Sequence, residues 1–142
     1  MKHEVDGRRE IASRNTAWAN IIARKLTGWG ITPNQISMMS VFFALAGCLL
    51  LTGTVIYPDF NKYVAYILFI VCMQSRLLCN LFDGMVAIEG GKKSANGDLY
   101  NDMPDRFADA LFIIPVGYVA GGFGIELGWL AALLAVMTAY FR

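Results

Sequence analysis

Four long apolar runs separated by short polar turns set the frame of this chain. Ahead of them, residues 1–13 are polar and mixed in charge, with Lys2, Glu4, Asp6, Arg8, Arg9 and Glu10. Next comes a stripe at helical spacing, Trp18, Ile21, Ile22, Leu26 and Trp29, with Arg14, Asn20, Arg24 and Lys25 mostly off it. A tryptophan-edged amphipathic helix with basic neighbours suits the headgroup region of a bilayer; a soluble surface helix is the plainer alternative. Thr32-Pro33-Asn34-Gln35 spells a helix start. Threonine caps, proline takes the first helical position, and glutamine completes a capping box. Residues 36–56 are then apolar apart from small hydroxyls. At ~1.5 Å per residue they are long enough to cross a ~30 Å hydrocarbon core.

Tyr57-Pro58-Asp59 ends the first run, and the second, residues 63–82, carries Gln74, Ser75, Arg76 and Asn80 before Asp83. A polar segment over 84–102 bears glycines and lysines. The third run covers 107–122, and a short link, Phe123-Gly124-Ile125-Glu126, leads to a fourth over 127–141, short for a full crossing. The expected fold is an all-α integral membrane protein forming one membrane domain over 1–142. It has an amphipathic interfacial helix within 1–31 and about four transmembrane helices over 33–142. Six basic residues precede the first run, only Lys62 lies between the first two, and Lys92, Lys93 and Arg106 flank the second connection. Basic residues stay on the cytoplasmic side, which puts the amino terminus and the 84–102 segment there.

Composition strengthens this picture. Apolar residues make up 56% of the 142 and charged residues 16%, against about 25% charge in a soluble domain. A net charge of +1 gives no reason to expect nucleic acid. Cys48, Cys72 and Cys79 all sit inside apolar runs without metal-ligand spacing, so they read as small hydrophobes. A secretory signal is not expected, because the first apolar run begins only near Ile36.

The charges that do enter the runs need a reason, since each costs ~2.5–3.5 kcal/mol on insertion scales. Arg76, Asn80 and Asp83 fall at i, i+4 and i+7, one helix face. Asn101, Asp105 and Asp109 repeat the four-residue spacing, with Asp98 and Asp102 beside them. Clustered carboxylates push one another's pKa upward unless a cation joins them. Oxygen donors without histidine or thiolate suit Mg²⁺, Mn²⁺ or Ca²⁺, and Mg²⁺ commonly completes its shell with substrate phosphates. Gly84, Gly90, Gly91 and Gly97 offer close backbone approach, and Lys92 and Lys93 offer phosphate contacts. Structural readings stand beside these. Asn101 or Asp102 caps the third helix with Pro104 in its first turn, Arg106 pairs with Asp83, and the two lysines are solvated or meet lipid headgroups.

The order Asn80-Leu-Phe-Asp83-Gly84-Met-Val-Ala87, then Gly97-Asp-Leu-Tyr-Asn101-Asp-Met-Pro-Asp105-Arg106, resembles the CDP-alcohol phosphotransferase family. That family's signature is D-x2-D-G-x2-A-R-x8-G-x3-D-x3-D, and the spacing here matches at every step. The Thr32-Pro33-Asn34 start of the first run is also similar, so the resemblance spans essentially the whole chain. It implies a transferase of phospholipid biosynthesis, multi-pass in the cell (inner) membrane with a cytoplasmic site. Such an enzyme moves a phosphatidyl or related phospho-alcohol group from a CDP-alcohol to a hydroxyl acceptor, releasing CMP. Implied metal ligands for Mg²⁺ or Mn²⁺ are Asn80, Asp83, Asn101 and Asp105, with Asp105 also the general base. Gly84, Ala87 and Gly97 would shape the nucleotide pocket and Ser94 would contact the diphosphate, while Arg76, Lys92, Lys93 and Arg142 would meet phosphates or an anionic acceptor. Expected partners are a CDP-diacylglycerol-like donor, the acceptor, membrane lipids and a second copy of the chain as a homodimer, but no nucleic acid.

Three departures bear on these expectations. Asn80 and Asn101 replace the first and third aspartates, so the motif's formal charge falls from −4 to −2. Ile88 replaces the motif arginine. The family has six transmembrane helices and this chain four at most, so the C-terminal part of the family domain is expected to be missing. A register using Asp105 and Asp109 as the last pair restores one carboxylate but loses the upstream glycine, and the first register is preferred. A non-catalytic relative that binds nucleotide or lipid is the rival reading, supported by the asparagines and the lost arginine.

Overall fold

A computed structural model describes residues 16–89 and 97–138, with side chains for 16–88 and 104–138. Five α-helices follow one another there: α1 (Ala17–Gly28), α2 (Pro33–Ile56), α3 (Lys62–Glu89), α4 (Gly97–Ala120) and α5 (Gly124–Met137).

The first helix packs differently from its apolar stripe. Ala19 and Ala23 are buried against Phe82, Met85 and Val86 of α3 and Ile36 of α2, whereas Trp18, Ile21, Ile22 and Trp29 face outward. Small side chains let α1 lie close on α3, and Trp18 meets Phe82 edge to face with ring centroids 6.2 Å apart. Gly30 ends the helix at φ +75°, with its N–H on the Thr27 carbonyl and the Ile31 N–H on that of Leu26. This double bond pattern is a Schellman ending, and a β-carbon would disfavour the backbone it needs.

At the start of α2 the expected capping box is present. The Thr32 N–H donates to Gln35 Oε1 at 3.0 Å and the Gln35 N–H to Thr32 Oγ1 at 3.4 Å. Its buried seam is Ser37, Ser40, Ala44, Gly47, Leu51 and Thr54, alternating three and four residues apart. Because α2 is apolar all round, hydropathy alone does not mark this seam; residue size does, since small side chains let helices approach. α2 packs extensively on both α3 and α4, which do not pack extensively on each other. Those two meet instead through side chains. Phe69 and Phe112 touch edge to face at 5.4 Å. Both rings lie over Gly47, where a β-carbon would sit 2.7 Å from Phe112 Cε1.

Two expectations about the polar segment are overturned. Residues 84–89 continue α3 as helix, because the alanine face of α1 covers Met85 and Val86 where the hydrophobic run ends. Likewise α4 begins at Gly97, so Pro104 lies inside the helix and not in its first turn, and neither Asn101 nor Asp102 is its cap.

Among the described residues two helices, α2 and α3, are long and apolar enough to cross a membrane. The 14 residues of α5 reach only ~21 Å, short of a ~30 Å core. α5 begins at Gly124, so the expected link shrinks to a turn whose Gly121 and Gly122 have φ +69° and +52°. It folds back on α4 at a glycine contact, where a β-carbon on Gly117 would lie 2.6 Å from the Gly124 carbonyl and 3.0 Å from Gly128 Cα.

Candidate functional site

Polar side chains from three helices meet around the first turn of α2, the second half of α3 and residues 105–109 of α4. The helical spacing read from the sequence holds on α3: Arg76 is 8% exposed, Asp83 3%, and Asn80 between them is half-buried. Seven residues separate the outer two, about 10 Å along the axis, so the site has two levels.

At the level of Asp83, Ser37 of α2 donates its hydroxyl to Asp83 Oδ2 at 3.2 Å. The same Oγ lies 3.2 Å from the Pro33 carbonyl, so one proton serves two acceptors. The following α3 residues continue inward: Gly84 is buried and Ala87 half-buried. Both belong to a helix, so neither is part of a glycine-rich loop.

At the level of Arg76, one guanidinium nitrogen gathers three oxygens of α4. Nη2 lies 2.9 Å from Asp109 Oδ1 and 3.4 Å from Asp105 Oδ1, and it donates to the Asp105 backbone carbonyl at 3.3 Å. Arg106 Nη1 pairs with Asp109 Oδ2 at 3.3 Å, three residues further along the same helix. Asn80 stands between the two levels on the same α3 face, one turn from Arg76 and one from Asp83, with its side chain near Asp105.

Charges this far from water remain ionised only where partners replace hydration. Among the described residues, three buried polar atoms have no hydrogen-bond partner: Arg76 Nε, Arg106 Nε and Ser40 Oγ. Ser40 is 1% exposed and stands one turn beyond Ser37 on the α2 seam.

Of the expected site residues, the structure thus brings Arg76, Asn80 and Asp105 together, with Asp83 adjoining. It assigns Arg76 to carboxylates and to a peptide carbonyl. Lys92, Lys93, Ser94 and Arg142 lie outside the described residues, as do the side chains of Asn101 and of its neighbours Asp98 and Asp102. Gly97 contributes the first residue of α4. Among the described residues no three His, Cys, Asp or Glu side chains group as a metal-ligand set, and two of the four expected ligands are asparagines. The oxygen donors of Asn80, Asp83 and Asp105 fit a hard divalent cation by chemistry.

Ser37 and Ser40 are the residues that sequence reasoning missed. Both belong to the small hydroxyls of an apolar run; their place in a three-four stripe of small residues is the available signal. No protein-family model, curated protein or solved structure matches this chain.

Proposed function

We propose that the chain is a divalent-metal-dependent membrane transferase of phospholipid synthesis, moving a phosphatidyl or related phospho-alcohol group from a CDP-alcohol to a hydroxyl acceptor. The observation that carries the reading is the reach of Arg76 on α3 to Asp105 on α4, at 3.4 Å, with Asn80 one turn along the same α3 face. Two positions of the resembled signature, on different helices, meet beside Arg76 and one turn from Asp83.

The membrane part of the proposal rests on exposure. A core helix of a soluble protein is mostly buried, but only 28% and 17% of the apolar windows of α2 and α3 are buried. Their outward faces, Phe42, Leu49, Ile67 and Ile70 among them, suit an apolar solvent. In this reading α4 and α5 complete a multi-pass bundle in the cell (inner) membrane, and the outward tryptophans and isoleucines of α1 lie in the interface. The basic residues put the amino terminus and the site on the cytoplasmic side.

Mg²⁺ or Mn²⁺ on Asp83, Asp105, Asn80 and Asn101 would supply neutralising charge for the CMP leaving group. Asp105 takes the proton of the acceptor hydroxyl. The acceptor oxygen bonds to phosphorus as the anhydride bond to CMP breaks. Arg76 holds Asp105 in place for that transfer. Its hold on Asp105 also favours a second reading, a relative that binds nucleotide or lipid without transfer.

Turnover of radiolabelled CDP-diacylglycerol, with membrane extract as the source of acceptor, separates the two. Expected is CMP release that chelator and Asp83→Ala each abolish. Metal-dependent CDP binding without CMP release would favour the binder, and absence of both would sink both readings.

A further inference from the structure

Two carboxylates and a peptide carbonyl converge on a single atom, Nη2 of Arg76, at 2.9, 3.4 and 3.3 Å. That donor set is the kind a hard divalent cation takes, with oxygens drawn in to ~2.0–2.6 Å and water filling the rest of the shell. We infer that Arg76 fills a latent divalent-cation site between Asp105 and Asp109, and that the arginine is what keeps a metal out of it.

Burial and bonding both point the same way. The Arg76 residue is 8% exposed, yet its Nε is buried without a hydrogen-bond partner. The guanidinium is therefore seated by the pull of the α4 oxygens on one nitrogen and not by a full set of bonds matched to its planar fork. A spherical charge satisfies such a cradle equally well. The side chains of Asp105 and Asp109 are 19% and 29% exposed, leaving water and room for small movements inward. Arg106 reaches only the other Asp109 oxygen, so it leaves the cradle to Arg76.

The inference rests on this ion geometry alone and stands apart from the transferase reading. Its test counts Mn²⁺ bound per full-length chain in nanodiscs, by electron paramagnetic resonance. Arg76→Met should bind one more Mn²⁺ than the parent, and so should Arg76→Met with Arg106→Gln, in which the second arginine cannot move in. Adding Asp109→Asn to Arg76→Met should remove the gain, and Arg76→Lys should bind as the parent does. Mn²⁺ at millimolar concentration should also raise the melting temperature of Arg76→Met toward that of the parent. An unchanged count in both Arg76→Met forms overturns the inference, as does a gain that survives Asp109→Asn. So does an Arg76→Met chain left unfolded in Mn²⁺ as in chelator, since a cation would then be no substitute for the guanidinium. The parent's own count, one or none, bears separately on the metal of the proposed transferase.

Discussion

Ser37 on α2 hydrogen-bonds Asp83 on α3 at 3.2 Å across 46 positions of sequence. This bond fastens the start of one apolar helix to the acidic end of the next, and it is buried. Hydrogen bonds to charged groups contribute about 1.5–3 kcal/mol. Ser37→Ala removes the hydroxyl from a carboxylate that is 3% exposed, so a loss of that order is expected. Ser37→Thr keeps the donor and should retain most of the stability. Thermal melts of the two variants in one detergent decide it; equal melting temperatures would mean the bond contributes nothing.

Asn80 stands near Asp105, and that fixes what its replacement by the signature's aspartate would do. Asn80→Asp sets two carboxylates beside each other, each raising the pKa of the other. We expect lower stability in chelator, with partial recovery in Mg²⁺ or Mn²⁺. Combined Asn80→Asp and Asn101→Asp should depress stability further. A double variant that is stable, binds two cations and transfers faster would instead mark the parent as a decayed transferase.

The glycine contacts rank themselves by what stands in the way. At Gly47 the obstacle is the edge of the Phe112 ring, buried and held by Phe69. At Gly117 it is backbone, the Gly124 carbonyl and Gly128 Cα. Gly47→Ala should cost about 1–3 kcal/mol by overpacking. Phe112→Leu in that background should relieve part of it. Gly117→Ala should cost more, because α5 as a whole must shift. Denaturation curves that place the two in the opposite order would contradict this.

Orientation is open to direct chemistry. With Cys48, Cys72 and Cys79 replaced by alanine, a single Ser94→Cys should resist impermeant thiol reagents added outside intact cells. It should label readily in inverted membrane vesicles, because basic residues keep its segment cytoplasmic. Ready labelling from outside would reverse the proposed topology.

The sequence by itself determined what depends on neighbours within a few residues. The capping box of Thr32 and Gln35 is a local exchange of hydrogen bonds, so four residues announce it. Helical periodicity put Arg76, Asn80 and Asp83 on one face and Asp105 with Asp109 on another, because 3.6 residues make a turn in any surroundings. The length and apolarity of α2 and α3 were equally legible.

Only the tertiary structure decided which faces meet. Hydropathy ended the second helix near Phe82, but α3 runs on to Glu89 because Ala19 and Ala23, some sixty positions earlier, cover its last turns. Pro104 looked like a first-turn residue, yet α4 had already begun at Gly97. Arginine beside carboxylates in sequence could mean a phosphate contact or an ion pair. What assigned Arg76 to Asp105 and Asp109 was the packing of both α3 and α4 on α2, with long side chains meeting between them. That placement is a balance of packing among small residues far apart in the chain, and local pattern carries no record of it.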